Sequence, residues 1–196
     1  MAITIILIRS GATEAGLQDK YLGVLDQPLS DEGQASLTRR VANHIYPEAE
    51  LVFTSSRLRS LATAQIIYPR IPAIVLRELE PYDYGRFSGK SYRELEADEE
   101  FQQWITNPIL APPLDGEHPH AFGARCGAAI RQIVNEMECK GLQKVAIVTH
   151  LSVIRAILRR YHMPRPLYWD WQVDFGGGLI TEFDGTRGVM TISEKF

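Results

Sequence analysis

The sequence predicts an α/β fold, a three-layer α/β/α sandwich around a mainly parallel central sheet. Three observations predict it. Short apolar runs at Ile3–Ile8, Leu51–Phe53, Ala73–Leu76 and Lys144–Thr149 have the length and branching of buried strands. Amphipathic segments of helical period separate them. No repeat, low-complexity stretch or linker interrupts the alternation over 196 residues, a length that suits one domain spanning 1–196.

The elements follow in order. Residues 3–9 read as the first strand, ending at Arg9 and the small residues Ser10, Gly11 and Ala12. Residues 17–28 read as loop. Ser30 then offers a cap and Asp31 and Glu32 an acidic first turn, predicting a helix from Asp31 to about Ile45. After the strand at Leu51–Phe53, Thr54-Ser55-Ser56 turns into a helix over Leu58–Ile67, which Pro69 closes. Ala73–Leu76 is a third strand, and residues 78–89 are irregular. Ser91–Ile105 reads as one helix and residues 107–119 as a proline-rich loop, so that about 78–119 forms a lid-like insertion. Ala121–Lys140 has helical periodicity and Gly141 terminates it. Lys144–Thr149 is a strand and Ser152–Tyr161 a helix. Leu179–Phe183 and Gly188–Ser193 are two strands joined by a hairpin at Asp184–Arg187, placed at a sheet edge.

Composition narrows the function. Apolar residues make up 45% and charged residues 23%, ordinary for a soluble globular chain, and a net charge of −3 gives no general attraction to nucleic acid or a membrane surface. An anionic ligand would therefore need a local cluster of arginines. Cys126 and Cys139 fall on one predicted helix at nearly opposite faces, so they do not pair, and their spacing fits no metal motif. No run is long enough to span a membrane and Ala2–Ile8 lacks a basic leader, which predicts a cytoplasmic protein. Tyr68, Tyr161, Trp169 and Trp171 read first as core aromatics and second as an interface in an assembly such as a homodimer.

Ligands of open α/β sheets sit beyond the carboxyl ends of the strands. Strand one delivers Arg9, Ser10 and Thr13 there; strand two delivers Ser55 and, a helical turn later, Arg59; the strand before the last long helix delivers Thr149 and His150. Taken singly, an arginine after a strand is a solvated or capping residue, and His150 a hydrogen-bonded residue at a helix start. If the strands are neighbours, however, Arg9, Arg59 and His150 converge as a phosphate cradle, because the guanidinium fork matches phosphate oxygens and helix N-termini add N–H donors.

The chain resembles the histidine phosphatase superfamily, the phosphoglycerate mutase-like fold. Ile5-Ile6-Leu7-Ile8-Arg9-Ser10-Gly11-Ala12-Thr13-Glu14 resembles its first signature, with serine where the family carries histidine. Asp26–Gly33 is similar to its Asp-x-Pro-Leu-(Ser/Thr)-x-x-Gly segment. Thr54–Ala64 is similar to the stretch bearing the second phosphate-binding arginine, here Arg59, with Ala62 in place of a glutamine. Gly116-Glu117 matches the opening of the next long helix, and Val148–Arg155 the segment bearing the second histidine, here His150.

The resemblance implies a mechanism. The first histidine of the family attacks phosphorus and forms a phosphohistidine, two arginines and the second histidine neutralise the phosphoryl oxygens, and a carboxylic acid protonates the leaving oxygen; no metal or other cofactor is called for. Arg9, Arg59, His150 and Thr13 are the implied phosphate-binding residues, with Ser10 in the place of the nucleophile and His150 beside it. The family's acid falls at Pro81, four residues before Gly85. Asp83 is the first candidate in its stead, keeping the side-chain parity of position 81 in an extended segment. Glu80 and Glu117 are alternates, and all three also read as surface or capping carboxylates.

A serine hydroxyl is a far weaker nucleophile than imidazole unless a base activates it. The resemblance therefore implies a phosphomonoester-binding domain whose ancestral reaction is phosphomonoester hydrolysis and whose own activity is weak or absent. Ser10 is read as a natural loss, as an introduced substitution that silences an active parent, or as compatible with weak turnover by direct water attack in the arginine cradle or through another nearby group. A non-catalytic phospholigand-binding or regulatory module and a phosphoglycerate mutase-type phosphotransferase are the alternatives. The expected ligand is a small phosphorylated molecule or inorganic phosphate.

Overall fold

The computed structural model describes residues 2–163 and 170–196. Its six strands are β1 (Ala2–Arg9), β2 (Leu51–Thr54), β3 (Ala73–Val75), β4 (Lys144–Thr149), β5 (Gly178–Asp184) and β6 (Val189–Lys195). They form one sheet in the order β3-β2-β4-β1-β5-β6. The first four run parallel, and the C-terminal hairpin adds β5 antiparallel to β1, with β6 at the edge. The sheet is therefore mixed, with the hairpin at the edge where its turn chemistry put it.

Side-chain alternation along β1 builds the layers. Ile3, Ile5 and Leu7 enter one core with α6 (Pro119–Lys140) and α7 (Leu151–Tyr161), while Ile6 and Ile8 enter a second core with α2 (Asp31–Ala42) and α3 (Leu58–Ile67). Ile5, Ile6, Leu7 and Ile8 are all fully buried, as a strand covered on both faces requires.

Local chemistry moves several boundaries. Helix α2 stops at Ala42 rather than about Ile45, because Asn43 caps it and His44 turns left-handed at φ 54°. A four-residue helix, α1 (Glu14–Leu17), stands inside the segment read as loop, started by the Thr13 hydroxyl accepting the Gly16 N–H. The single helix expected over Ser91–Ile105 is two, α4 (Tyr92–Leu95) and α5 (Glu99–Thr106), since Asp98 caps a new helix by accepting the Phe101 N–H. The segment read as irregular from 78 to 89 overlaps one 3-10 turn, Arg77–Leu79, and holds a second, Gly85–Phe87.

Cys126 is buried, Cys139 exposed, and both are free thiols. Tyr68 is buried with its hydroxyl on the Pro47 carbonyl at 2.9 Å, and Tyr161 and Trp171 pack half-buried against the larger core. Trp169 lies outside the described residues. Among those residues no helix is long and apolar enough to cross a membrane.

Candidate functional site

Strand order decides which chain segments meet. Because β2, β4 and β1 are adjacent and parallel, their carboxyl ends open on the same side of the sheet. Arg9 is in register with Thr149, and the Ser10 N–H donates to the Thr149 carbonyl at 2.7 Å, so Ser10 and His150 leave the sheet side by side. Thr54 is in register with Val148, which brings Ser55 alongside: its Oγ lies 2.8 Å from His150 Nε2.

The loop after β1 is pinned from several directions. The Gly11 N–H donates to Thr63 Oγ1 at 2.9 Å, the Ala12 carbonyl accepts the Ser30 N–H at 2.9 Å, and Thr13 caps α1. Gly33 in the first turn of α2 sits so close that a Cβ there would lie 2.3 Å from the Ala12 oxygen. The backbone of Ser10–Thr13 is thereby fixed by contacts made elsewhere in the chain.

Arg9, Ser10, Thr13, Arg59 and His150 all line one cavity of about 370 Å³. Arg9 donates through Nη1 to the Val173 carbonyl at 2.7 Å, and its guanidinium carbon lies 3.6 Å from the Phe175 ring centre, a cation–π contact. Arg59 is anchored by the carbonyls of Leu25 and Gly23, each at 2.8 Å, with Asp26 only at 4.0 Å. Burial lowers both arginines to about 10; neighbouring Arg155 adds to the effect on Arg9, while Asp26 partly offsets it at Arg59. Both remain cationic at neutral pH. Burial, reinforced by Arg59, Arg57, Arg125 and Arg9, holds His150 well below the usual imidazole value, so it is neutral there. The cavity thus concentrates positive charge with little acidic compensation, and the first turn of α7, through Leu151 and Ser152, adds a helix N-terminus to its lining.

The three candidate acids do not line this cavity; among its described lining residues the only carboxylate is the exposed Asp19. Glu80 accepts from the Ser56 N–H and hydroxyl, each at 2.7 Å, and pairs with Arg57. Burial raises its carboxyl, but those partners outweigh burial and leave it below the ordinary value. Glu117 is gripped by Arg125 at 2.7 and 2.8 Å. Asp83 turns back on its own loop, accepting the Gly85 N–H at 2.9 Å. Arg125 also donates to the carbonyls of Glu78, Glu80 and Pro81, fixing the segment that carries Pro81 against the cavity.

Several lining residues were given no individual role in the sequence reading. Tyr21, Tyr84 and Tyr92 form an aromatic side, and Arg155 a third arginine, its Nε donating to the Trp171 carbonyl at 2.9 Å. Helical spacing could have found Arg155, since Ser152 and Arg155 lie three apart on one face of α7. The tyrosines gave no such signal, because they arrive from three separate segments, the loop after α1, the turn before Gly85 and the start of α4.

A doubly covered sheet with its antiparallel edge hairpin and a cavity at the carboxyl ends of β1, β2 and β4 defines the phosphoglycerate mutase-like α/β fold. Residues 5–194 match the family model of the histidine phosphatase superfamily (branch 1), and the chain belongs to that superfamily. It is 28% identical over 175 residues to an adenosylcobalamin/alpha-ribazole phosphatase of Salmonella typhimurium, covering 87% of this chain and 85% of that one. It is 27% identical to a 2,3-bisphosphoglycerate-dependent phosphoglycerate mutase of Bartonella quintana, covering 81% of each. The alpha-ribazole phosphatase structure from Shigella flexneri superposes with a TM-score of 0.81 at 25% identity, over 98% of this chain and 96% of that one.

Proposed function

We propose that this chain binds a phosphomonoester or inorganic phosphate in the strand-end cavity and turns it over weakly or not at all. Arg9 and Arg59 take the phosphoryl oxygens, with His150 and Thr13 as neutral hydrogen-bonding partners. Ser10 stands where the family's nucleophilic histidine stands, and Pro81 where its acid stands. The observation that carries the reading is the make-up of the cavity: buried arginines gather around position 10, yet its described lining offers a hydroxyl there and no carboxylate but Asp19 at the mouth. Charge stabilisation is supplied, while nucleophile and proton donor are not. The engagement of Glu80, Asp83 and Glu117 elsewhere supports the same reading.

Leaving-group chemistry separates the two losses. 4-Nitrophenyl phosphate departs as a stabilised phenolate and needs little acid, whereas phenyl phosphate needs the proton. In Ser10→His the imidazole displaces the aryl oxide, forming an N–P bond as the P–O bond breaks, and water then hydrolyses the phosphohistidine. That variant is expected to raise 4-nitrophenyl phosphate hydrolysis by about two orders of magnitude or more. Adding Pro81→Glu is expected to accelerate phenyl phosphate by about 10²-fold more than 4-nitrophenyl phosphate. Comparable hydrolysis by the unaltered chain and Ser10→His would sink the reading, as would failure of inorganic phosphate to bind the unaltered chain in calorimetry.

A further inference from the structure

A second cavity, of about 400 Å³, opens beside α6 and α7, and its described lining shares no residue with the strand-end cavity. Its floor is aromatic: Tyr82, Trp104 and Phe122 are all buried, with the Tyr82 and Phe122 rings 5.0 Å apart edge to face. Pro108 and Ile109 form one wall. On the α6 side the lining narrows to Gly123 and Ala124, and a Cβ built at Gly123 meets nothing within 4 Å, so small residues leave the space open.

The rim has a definite charge. Arg159 and Arg160, in the last turn of α7, are both exposed and both line the cavity, as does His120 at the start of α6. Among the described residues neither arginine forms an ion pair, in a chain of net charge −3 whose Arg57, Arg86 and Arg125 all do. Arg160 is not simply free in solvent, since its side chain lies across α6 at Gly127, with its guanidinium 5.6 Å from the Tyr161 ring. An aromatic floor of this size below a cationic rim suits a ring with a single negatively charged substituent.

We propose that this cavity is a second ligand site, taking a small planar aromatic compound that carries one anionic group. The ring lies against Tyr82, Trp104 and Phe122, and the anion reaches Arg159 and Arg160. The site stands apart from the phosphate reading: Arg9, Arg59 and His150 play no part in it. The two cavities are nevertheless neighbours, because Tyr82 packs 5.3 Å from Tyr84, which lines the first. Competition between them is therefore the point the test must resolve.

Naphthalene-1-carboxylate serves as the probe, titrated by calorimetry into the full chain with saturating inorganic phosphate. Binding with a dissociation constant of about 0.1–1 mM is expected. Gly123→Leu fills the open space while replacing a poor helix former by a good one, and should weaken the probe by about tenfold or more. Arg159→Gln with Arg160→Gln, both exposed, should weaken the carboxylate about fivefold and leave the neutral naphthalene-1-methanol unchanged. Circular dichroism melts establish that the variants are folded. The proposal is overturned if the probe does not bind with phosphate present, if phosphate displaces it, or if Gly123→Leu binds it as the unaltered chain does.

Discussion

Arg59→Met separates what the strand-end cavity does for the ligand from what it does for the fold. Arg59 is 4% exposed and its guanidinium meets two carbonyl oxygens, with Asp26 only at 4.0 Å. Its lowering from 12.5 to about 10, chiefly by burial, corresponds to about 3 kcal/mol opposing the charged form in the folded protein. Methionine keeps the stem and removes that opposition, while the carbonyls of Gly23 and Leu25 lose their donors at about 1–3 kcal/mol each, reduced by water from the cavity. The two contributions nearly cancel, so the ligand-free variant should unfold within about 2 kcal/mol of the unaltered chain.

The ligand has no such compensation. Two charge-assisted hydrogen bonds to phosphate contribute about 1.5–3 kcal/mol each, so their loss weakens binding by a factor of about 100 or more. Denaturant unfolding with and without inorganic phosphate reads both quantities. At a phosphate concentration 100 times its dissociation constant the unaltered chain gains about 2.7 kcal/mol; a variant binding 100-fold more weakly gains about 0.4 kcal/mol at the same concentration. Calorimetric titration gives the affinity directly. If Arg59→Met binds phosphate within about threefold of the unaltered chain, Arg59 is a structural arginine holding residues 23–25, and the cradle reading fails.

Two further predictions test the surroundings. His150 is held neutral by burial and by the nearby arginines, so its folded-state value lies below that of the unfolded chain. Below about pH 6.5 the unfolded chain takes the proton first, and stability must fall as pH falls, by up to about 1.4 kcal/mol per pH unit from this group. Urea unfolding at pH 7.5 and 5.5 should show a smaller loss in His150→Gln than in the unaltered chain, and equal losses would refute the assignment. Gly33→Ala would force a methyl to within 2.3 Å of the Ala12 oxygen in the loop that carries Ser10 and Thr13. Overpacking of this kind costs about 1–3 kcal/mol in denaturant unfolding and should weaken phosphate binding as the loop shifts; an unchanged unfolding midpoint would contradict the close packing of α2 on that loop.

The sheet and its strand-end residues were legible because their signals are local. A short run of branched apolar residues such as Ile5–Ile8, closed by turn residues, reads as a strand covered on both faces, and once β2, β4 and β1 are neighbours the residues that follow them meet. That is how Arg9, Ser10, Thr13, Arg59 and His150 reach one cavity. The helix expected over Ser91–Ile105 broke at a signal that was also local: Asp98 followed by Glu99 and Glu100 is a helix start inside the segment read as one helix. Partners distant in sequence left no such trace. Glu80 is held by Arg57 and Ser56, and Glu117 by Arg125, pairings made only by tertiary structure.

Position 83 shows the limit most clearly. Side-chain parity in an extended segment would aim Asp83 to the same side as position 81, yet Pro81 lines the cavity and Asp83 does not. Tyr84 has φ −83° and ψ 5° and leads into the 3-10 turn at Gly85–Phe87, while Gly85, at φ 50°, lies so tightly against residues 114–116 that a Cβ would meet the Leu114 oxygen at 2.1 Å. Pro81 and Tyr84 line the cavity, while the Asp83 carboxylate turns back on its own loop to accept the Gly85 N–H. Burial raises the phenol of Tyr84 above its ordinary value, against the pull of Arg155, Arg9 and Arg59, so it stays neutral among those cations. An imino acid and a neutral phenol therefore face the buried arginines at the rim where a carboxylate would have offset them. The positive charge of the cavity is left for a ligand to neutralise; that charge serves binding and turnover alike, and it is the missing carboxylate on which the proposed reading of weak turnover rests.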